Sequence, residues 1–389
     1  MIIGIFGVEL CSINYGCAAL GISQLKIIEK LKNKKNLKIE YYIFSNDDIN
    51  SVDELKKFLK IESDVIIKGL INFKDGIRGW KNISNEIKKC DIVIDLTYGD
   101  SFSDIYGFKN YILYTIPKII TLHNKKKLIL APQTIGPYKD FLVRVISKQI
   151  LKNAEVLCVR DKKSFALAKK LSGRDDIILT SDLAMELPYQ NNSFSNEKFR
   201  IGINISDLLW KNTNEDNMSK YGIIVDYKEL IKKIIEYLQN GRNEIHLITH
   251  VFSKNDNEGE YYLAQKIHKD YPDTVLAPKF NNPIEAKSYI SGLNLFMGSR
   301  MHATIGAFSA GVPVIPISYS MKFEGLYGSL NYNYGINLRD TTIENAIRHI
   351  GSCIENYGKM EEDREKALEE AINLNNKYYR LLLNYLEKE

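Results

Sequence analysis

Leu293–Ile317 reads LNLFMGSRMHATIGAFSAGVPVIPI. The apolar run Leu293 to Met297 enters a polar turn, Gly298-Ser299-Arg300-Met301-His302-Ala303. A helical pattern then occupies Thr304 to Ser309, and Val312 to Ile317 is a second apolar run of strand length. Strand, turn, helix and strand in succession is the unit of a parallel sheet, because parallel neighbours need a crossover and the crossover is usually a helix.

The same rhythm extends in both directions. On the amino-terminal side, strands are expected at Ile2 to Phe6, Leu37 to Phe44, Asp91 to Leu96, Lys127 to Leu130, Glu155 to Val159 and Ile177 to Thr180, with helices at Ala18 to Leu31 and Phe141 to Leu151. Around the quoted stretch, Arg200 to Ile205, Glu244 to Thr249 and Thr274 to Leu276 read as strands, and Tyr227 to Leu238, Gly259 to His268 and Pro283 to Ile290 as helices. Val/Ile-rich runs of this kind suit strands covered on both faces. Pro188 to Lys198, PYQNNSFSNEK, has little to bury and reads as a linker. The expected architecture is therefore α/β: a domain over residues 1–190, another over 199–365, and a ligand cleft facing the carboxyl ends of both sheets. Thr342 to Leu386 is mostly helical in pattern, and residues 366–389 are expected to form a helix that braces the first domain.

Composition narrows the function classes. In 389 residues, 44% hydrophobic and 26% charged side chains supply sizeable cores and exclude a mainly disordered chain. Lys plus Arg exceed Asp plus Glu by 53 to 48, but no long basic arm or aromatic-interleaved basic stripe stands out, so nucleic acid is not an expected partner. The excess fits a solvated surface or a funnel towards an anionic substrate. Cys11, Cys17, Cys90, Cys158 and Cys353 form neither a metal knuckle nor a disulfide framework, which fits a reducing compartment. Without a signal-like start or an apolar run near ~20 residues, the expected location is the cytoplasm, with peripheral association with a membrane polysaccharide-assembly complex left open.

Polar residues collect after the apolar runs. Asn14-Tyr15-Gly16 enters the first helix, where glycine allows close approach of a ligand and helix-start N–H groups receive an anion. After Asp91 to Leu96 come Thr97-Tyr98-Gly99-Asp100-Ser101-Phe102-Ser103-Asp104, suited to sugar hydroxyls or proton transfer. Asp100 and Asp104 would share a face if this loop continued as a helix; helix capping is the alternative. Gln133 and Thr134 offer neutral hydrogen bonds. Arg160 suits either a bidentate clamp on a carboxylate or phosphate or a local surface ion pair, and Asp161 suits a helix cap. Arg300, His302 and the neighbouring N–H groups concentrate anion chemistry, with Ser299 as a cap and His302 as an interior histidine in the structural alternative. Lys322 can neutralise an acidic ligand and Glu324 can act as a base, although both suit a helix surface. His246 and His250 do not share a helical metal-binding face, Asp256 and Glu258 do not repair that geometry, and no metal site is expected.

On Asn14-Tyr15-Gly16, the Gly99 to Asp104 loop, Ala131-Pro132-Gln133-Thr134-Ile135-Gly136-Pro137, Val159-Arg160-Asp161, Ser181-Asp182, Gly298-Ser299-Arg300-Met301-His302-Ala303 and Gly311-Val312-Pro313, taken in order, the chain resembles the polysaccharide pyruvyl transferase family. It departs at Thr97-Tyr98, where many members have glycine, and at Cys17 and Ser320, where acidic residues are frequent. The resemblance implies two Rossmann-like domains in a GT-B-like arrangement, no cofactor, and phosphoenolpyruvate as the donor substrate. It implies transfer of pyruvate to hydroxyls of a cell-surface polysaccharide or its lipid-linked precursor. The family signature falls on Arg300, for the phosphate, and His302, for protonation of the enol carbon, with Asp100 or Glu324 accepting the hydroxyl proton. Asn14, Tyr15, Gly16, Gly99, Ser101, Asp104, Gln133, Thr134, Arg160, Ser299 and Lys322 are the expected substrate contacts. The alternatives are a GT-B-type glycosyltransferase with a nucleotide-sugar donor and a non-catalytic glycan-binding or assembly protein.

Overall fold

The structure is a computed structural model, and it describes residues 1–70, 76–194, 198–241, 243–253, 255, 257 and 258–387. Asp256 and part of the expected linker lie outside these residues. Chain contacts define two compact units, one of Met1–Ser12, Leu20–Leu183 and Ala371–Glu389, the other of Ile13–Ala19 and Ala184–Glu370.

In unit 1 the order is β1 (Ile2–Phe6), α1 (Tyr15–Lys35, whose first residues belong to unit 2), β2 (Glu40–Phe44), α2 (Ile49–Leu59), β3 (Asp64–Lys68), α3 (Gly76–Lys89), β4 (Ile92–Asp95), α4 (Phe108–His123), β5 (Lys127–Gln133), α5 (Phe141–Asn153), β6 (Val156–Val159), α6 (Lys162–Ser172) and β7 (Ile178–Leu179). The strands form one sheet in the order β3-β2-β1-β4-β5-β6-β7, and every pairing is parallel. Every residue of β4 and β6 is buried, as a strand covered on both faces requires. Phe6 and Phe44 stack at 3.9 Å within a core that includes Val93, Leu128, Leu130 and Leu157. Asp140 and Asp161 accept the first N–H groups of α5 and α6, so Asp161 is the helix cap its position suggested.

Unit 2 repeats the plan. Its order is β8 (Arg200–Asn204), α7 (Asp207–Lys211), α8 (Asn214–Tyr221), α9 (Tyr227–Asn240), β9 (Glu244–Ile248), α10 (Gly259–Asp270), β10 (Val275–Leu276), α11 (Pro283–Ile290), β11 (Leu295–Gly298), α12 (Met301–Ser309), β12 (Val314–Ser318), α13 (Met321–Ser329), β13 (Ile336–Asn337), α14 (Ile343–Glu355) and α15 (Tyr357–Leu386, ending in unit 1). The sheet runs β10-β9-β8-β11-β12-β13, again all parallel. Helix α9 buries Tyr227, Leu230, Ile231, Ile234, Ile235 and Leu238, the three-and-four spacing of one apolar face.

Both sheets reverse their strand order once, between β1 and β4 and between β8 and β11. In doubly wound sheets ligands bind outside the carboxyl ends of strands at such a reversal. The loops after β4 and β11 are therefore the ones the topology favours.

Two readings left open by the sequence are decided, and one expected boundary moves. The chain after Asp100 turns instead of forming a helix, so Asp100 and Asp104 share no helical face; α4 begins only at Phe108. Helix α12 begins at Met301, three residues before the expected Thr304, which puts His302 in its first turn. Ser299 is not a cap: Arg300 occupies that position without a side-chain cap bond, and the Ser299 hydroxyl pairs with Tyr227. Among the described residues no helix is long and apolar enough to cross a membrane.

Candidate functional site

In unit 2 the turn after β11 is held by Asn204, at the end of β8. Its side-chain oxygen accepts from the Arg300 backbone N–H at 3.1 Å, and its amide donates to the Ile248 carbonyl and to Glu260. Glu260, on α10, is fully buried along its side chain and accepts from Arg300 Nε at 2.5 Å and from the backbone N–H groups of His250 and Val251. Arg300 Nη2 donates to Asp207 at 3.0 Å. Two carboxylates thus fix the guanidinium plane while the side chain stays 19% exposed, and Nη1 makes no hydrogen bond among the described residues. Burial opposes the charge on Arg300, but Glu260, Tyr319 and Asp207 outweigh it and raise the guanidinium above its ordinary value. Burial also raises the Glu260 carboxyl, against the pull of Arg300 and the two N–H donors.

The early Asn14-Tyr15-Gly16 segment belongs to this unit. Asn14 bridges Val251, the Phe252 N–H donates to the Ile13 carbonyl, and the Tyr15 hydroxyl donates to the Phe280 carbonyl. Asn14 accepts from Gly16 N–H at the start of α1. Gly16 lies directly against the imidazole of His302: a Cβ there would stand 2.3 Å from Nδ1 and 2.7 Å from Cγ. Glycine is required because any side chain would displace the ring. Burial, with the added charges of His302 and Arg300, pushes His250 down to about 3. The buried hydroxyls of Ser206, Thr249 and Ser318, beyond or at the ends of β8, β9 and β12, make no hydrogen bond among the described residues. Lys322 is half-buried on α13, whereas Glu324 is exposed and accepts from Asn337 at 2.9 Å.

Unit 1 carries a second polar cluster after β4, β5 and β6. Thr97, Tyr98 and Gly99 have φ of 41°, 52° and 82°, so two side chains hold a left-handed conformation that favours glycine. The loop is anchored by buried Lys118, which reaches Asp95 at 3.0 Å, Thr97 at 2.7 Å and the Tyr114 carbonyl; the Thr97 hydroxyl also donates to Asp95. Burial lowers Lys118 despite the attraction of Asp95. Thr134 N–H donates to the Gly99 carbonyl, and Arg160 donates from Nε to Thr134 and from Nη1 to Asp182 at 2.5 Å. A Cβ on Gly99 would come within 3.0 Å of Arg160 Nη1. Arg160 is 2% exposed, so its ion pair is interior, not the surface pair offered as an alternative. Gln133 Oε1, Arg160 Nη2 and Asp104 Oδ1 are buried without a hydrogen-bond partner among the described residues. The other Asp104 oxygen accepts from the N–H groups of Lys139 and Asp140, and Asp100 accepts from Tyr106. Ser101 is buried beside Asp100.

A family model described as polysaccharide pyruvyl transferase matches residues 14–321, spanning both clusters. The chain belongs to the polysaccharide pyruvyl transferase family. As a member it is an enzyme of pyruvyl transfer to polysaccharide, and phosphoenolpyruvate is its substrate, not a cofactor. The pyruvyl transferase is 20% identical over 317 residues to the amylovoran biosynthesis protein AmsJ of Erwinia amylovora, covering 76% of this chain and 73% of that protein. Its fold is similar to a putative UDP-N-acetylglucosamine 2-epimerase from Listeria monocytogenes, with TM-score 0.64 at 12% identity over 100% of this chain and 97% of that one. The UDP-GlcNAc 2-epimerase of Neisseria meningitidis, solved bound to UDP-GlcNAc, gives 0.61 at 12% identity with both chains fully covered. These likenesses support the two-domain, GT-B-like architecture of the transferase.

The structure brings Asn14, Tyr15, Gly16, Ser299, Arg300 and His302 into one unit, and Gly99, Asp100, Ser101, Asp104, Gln133, Thr134 and Arg160 into the other. Sequence reasoning missed Glu260, Asp207, Asn204 and the Asp95–Lys118 pair, and it weighed His250 only as a metal ligand. Glu260 had a signal: with Leu263, Ala264 and Ile267 it forms the buried face of α10, where an acid needs a partner. Among the described residues no group of His, Cys, Asp and Glu is placed to hold a metal ion.

Proposed function

We propose that unit 2 binds phosphoenolpyruvate and performs the proton transfer, and that unit 1 offers its loop cluster to the hydroxyls of a glycan or lipid-linked saccharide. The observation that carries this reading is the Arg300 guanidinium. Glu260 and Asp207 fix it from one side and leave Nη1, with the second Nη2 hydrogen, as a forked donor edge of the shape that phosphate and carboxylate accept. Lys322 and the first N–H groups of α12 add to the anion's stabilisation.

His302 delivers a proton to the methylene carbon of phosphoenolpyruvate. C2 becomes electrophilic, a sugar hydroxyl bonds to it, and Glu324, in the same unit as Arg300, accepts the hydroxyl proton. The C2–O bond to phosphate then breaks, and phosphate leaves with its charge held by Arg300. A second hydroxyl closing on C2 gives the cyclic pyruvate ketal; its proton returns to His302, and the proton held by Glu324 passes to the departing phosphate, which restores both side chains. One donor and one diol thus yield one ketal and one inorganic phosphate. Since the donor is a cytoplasmic metabolite, this reading places the enzyme in the cytoplasm, at the inner face of the membrane when the acceptor is lipid-linked.

Incubating the protein with phosphoenolpyruvate and a panel of glycan and lipid-linked acceptors, with phosphate release and acceptor mass read together, tests the proposal. Acceptor-dependent phosphate release with a matching pyruvyl mass increment is expected. Transfer from a UDP- or GDP-sugar without phosphoenolpyruvate would overturn it.

A further inference from the structure

The protein's positive charge is concentrated in one stretch. Residues 105–153, which hold α4, β5 and α5, contain nine Lys and Arg and a single acidic residue, Asp140. The remainder of the chain has 44 basic and 47 acidic residues, so the entire net positive charge resides in this segment. Lys118 is buried against Asp95, and the other eight basic residues are exposed or half-buried. The nearby acids are engaged: Asp140 caps α5, Asp104 accepts from the N–H groups of Lys139 and Asp140, and Glu155, just beyond α5 at the groove between the helices, accepts from the Tyr385 hydroxyl.

The same stretch exposes large apolar side chains. Phe141 is 74% and Leu142 59% exposed, side by side in the first turn of α5, with Val145, Phe108 and Ile119 also exposed. Phe141, Val145, Lys148 and Lys152 follow the four-three-four spacing of one helix face. Helix α4 packs beside α5 through Tyr111, whose hydroxyl meets the Val143 carbonyl and Ser147. A groove of about 740 Å³ between the two helices is lined by Ile119 and Val145 and by the Lys125–Lys127 run, while Phe108 and Lys139 line another groove at the other end of the pair.

We propose that this α4–α5 face docks on an anionic lipid bilayer, with Phe141 and Leu142 entering the headgroup region and the surrounding lysines meeting lipid phosphates. An apolar centre with a cationic rim is the pattern of an interfacial anchor. Clustered Phe, Leu, Val and Ile suit acyl chains, whereas a nucleic-acid groove would present separated stacking rings. Docking would bring the Asp104 loop to the headgroup level, where a lipid-linked acceptor lies. That consequence rests on the proposed function, and the docking itself does not.

The test is co-sedimentation of the full-length protein with vesicles of phosphatidylcholine alone or mixed with phosphatidylglycerol, containing neither glycan nor phosphoenolpyruvate. Its outcome is therefore independent of pyruvyl transfer. Binding to the mixed vesicles is expected to be at least ~10-fold tighter than to neutral ones and to weaken with salt. Phe141→Ser with Leu142→Ser should weaken it by ~10-fold or more, and Lys139→Gln with Lys148→Gln and Lys152→Gln by about 100-fold. Circular dichroism checks that the variants fold; if one does not, Lys125→Gln with Lys126→Gln and Lys127→Gln replaces it. Equal binding to both vesicle types, no binding, wild-type binding by the folded variants, or binding to single-stranded RNA in place of vesicles would overturn the proposal.

Discussion

Arg160 and Arg300 both follow a buried strand and precede a helix, yet their surroundings assign them different work. Arg160 in unit 1 is interior, pairs with one carboxylate and, through Thr134, ties the loop after β4 to the end of β6. Arg300 in unit 2 has two carboxylates and keeps one edge of its guanidinium at the surface of its unit. An interior arginine holds a loop in place, whereas one with an exposed donor edge has the geometry that the proposed anion binding needs.

The largest expected effect concerns His302, the proton donor of the proposed reaction. His302→Ala should lower kcat by ~10²–10⁴-fold, the range of lost acid–base help. Gly16→Ala should cost at least ~10²-fold without touching His302 itself, because the added methyl has no room beside Nδ1 and must turn or shift the ring. Steady-state phosphate release on both variants, with circular dichroism to confirm folding, checks this. Near-wild-type turnover of Gly16→Ala would show that the position of the ring is not used.

Next come the arginines. Arg160→Met removes the interior ion pair with Asp182 and should cost about 3–5 kcal/mol in denaturant unfolding. Arg300→Met should destabilise too, by stranding Glu260, but adding Glu260→Gln should restore part of the stability and none of the donor affinity. If the double variant regains its KM for phosphoenolpyruvate, or Arg160→Met proves stable and merely weakens acceptor use, the contrast is reversed.

Much of this was legible in the sequence, for identifiable reasons. Strands such as β4 and β11 are continuous apolar runs ending in glycine or polar residues, so their position and the functional weight of the loops after them could be read directly. Strand β3 was missed because its burial is only partial and its ends are charged. The docking of Asn14–Gly16 against His302 had no local signal: it joins residues some 290 positions apart through hydrogen bonds to the chain after β9. The basic, apolar face of α4 and α5 escaped a linear reading for a related reason. Its basic residues can be counted along the chain, but that Phe141, Leu142 and Val145 stay exposed among them is settled only by how α4 and α5 pack. Thr97 and Tyr98 show the opposite case, since their left-handed φ values are ones that glycine adopts most readily, which fits the departure from glycine noted at this point of the chain.

The smallest expected effect is a pH dependence set by His250. Burial together with His302 and Arg300 brings this imidazole down to about 3, against ~6.5 in an unfolded chain. Between these values the unfolded state binds the proton and the folded state does not, so lowering the pH favours unfolding. The cost is absent above pH ~6.5, grows by up to ~1.4 kcal/mol for each pH unit below it, and levels off below pH 3. His250→Phe keeps an aromatic ring beside Tyr15, whose edge contact with His250 spans 5.6 Å, and removes the titrating group. Its unfolding free energy should therefore fall less steeply than the wild type's between pH 6 and pH 4, by about that slope. Equal slopes for the two proteins would mean that His250 is protonated at no cost in the folded state. The positive charges of Arg300 and His302 would then act less strongly on their neighbours than the unit 2 cluster requires.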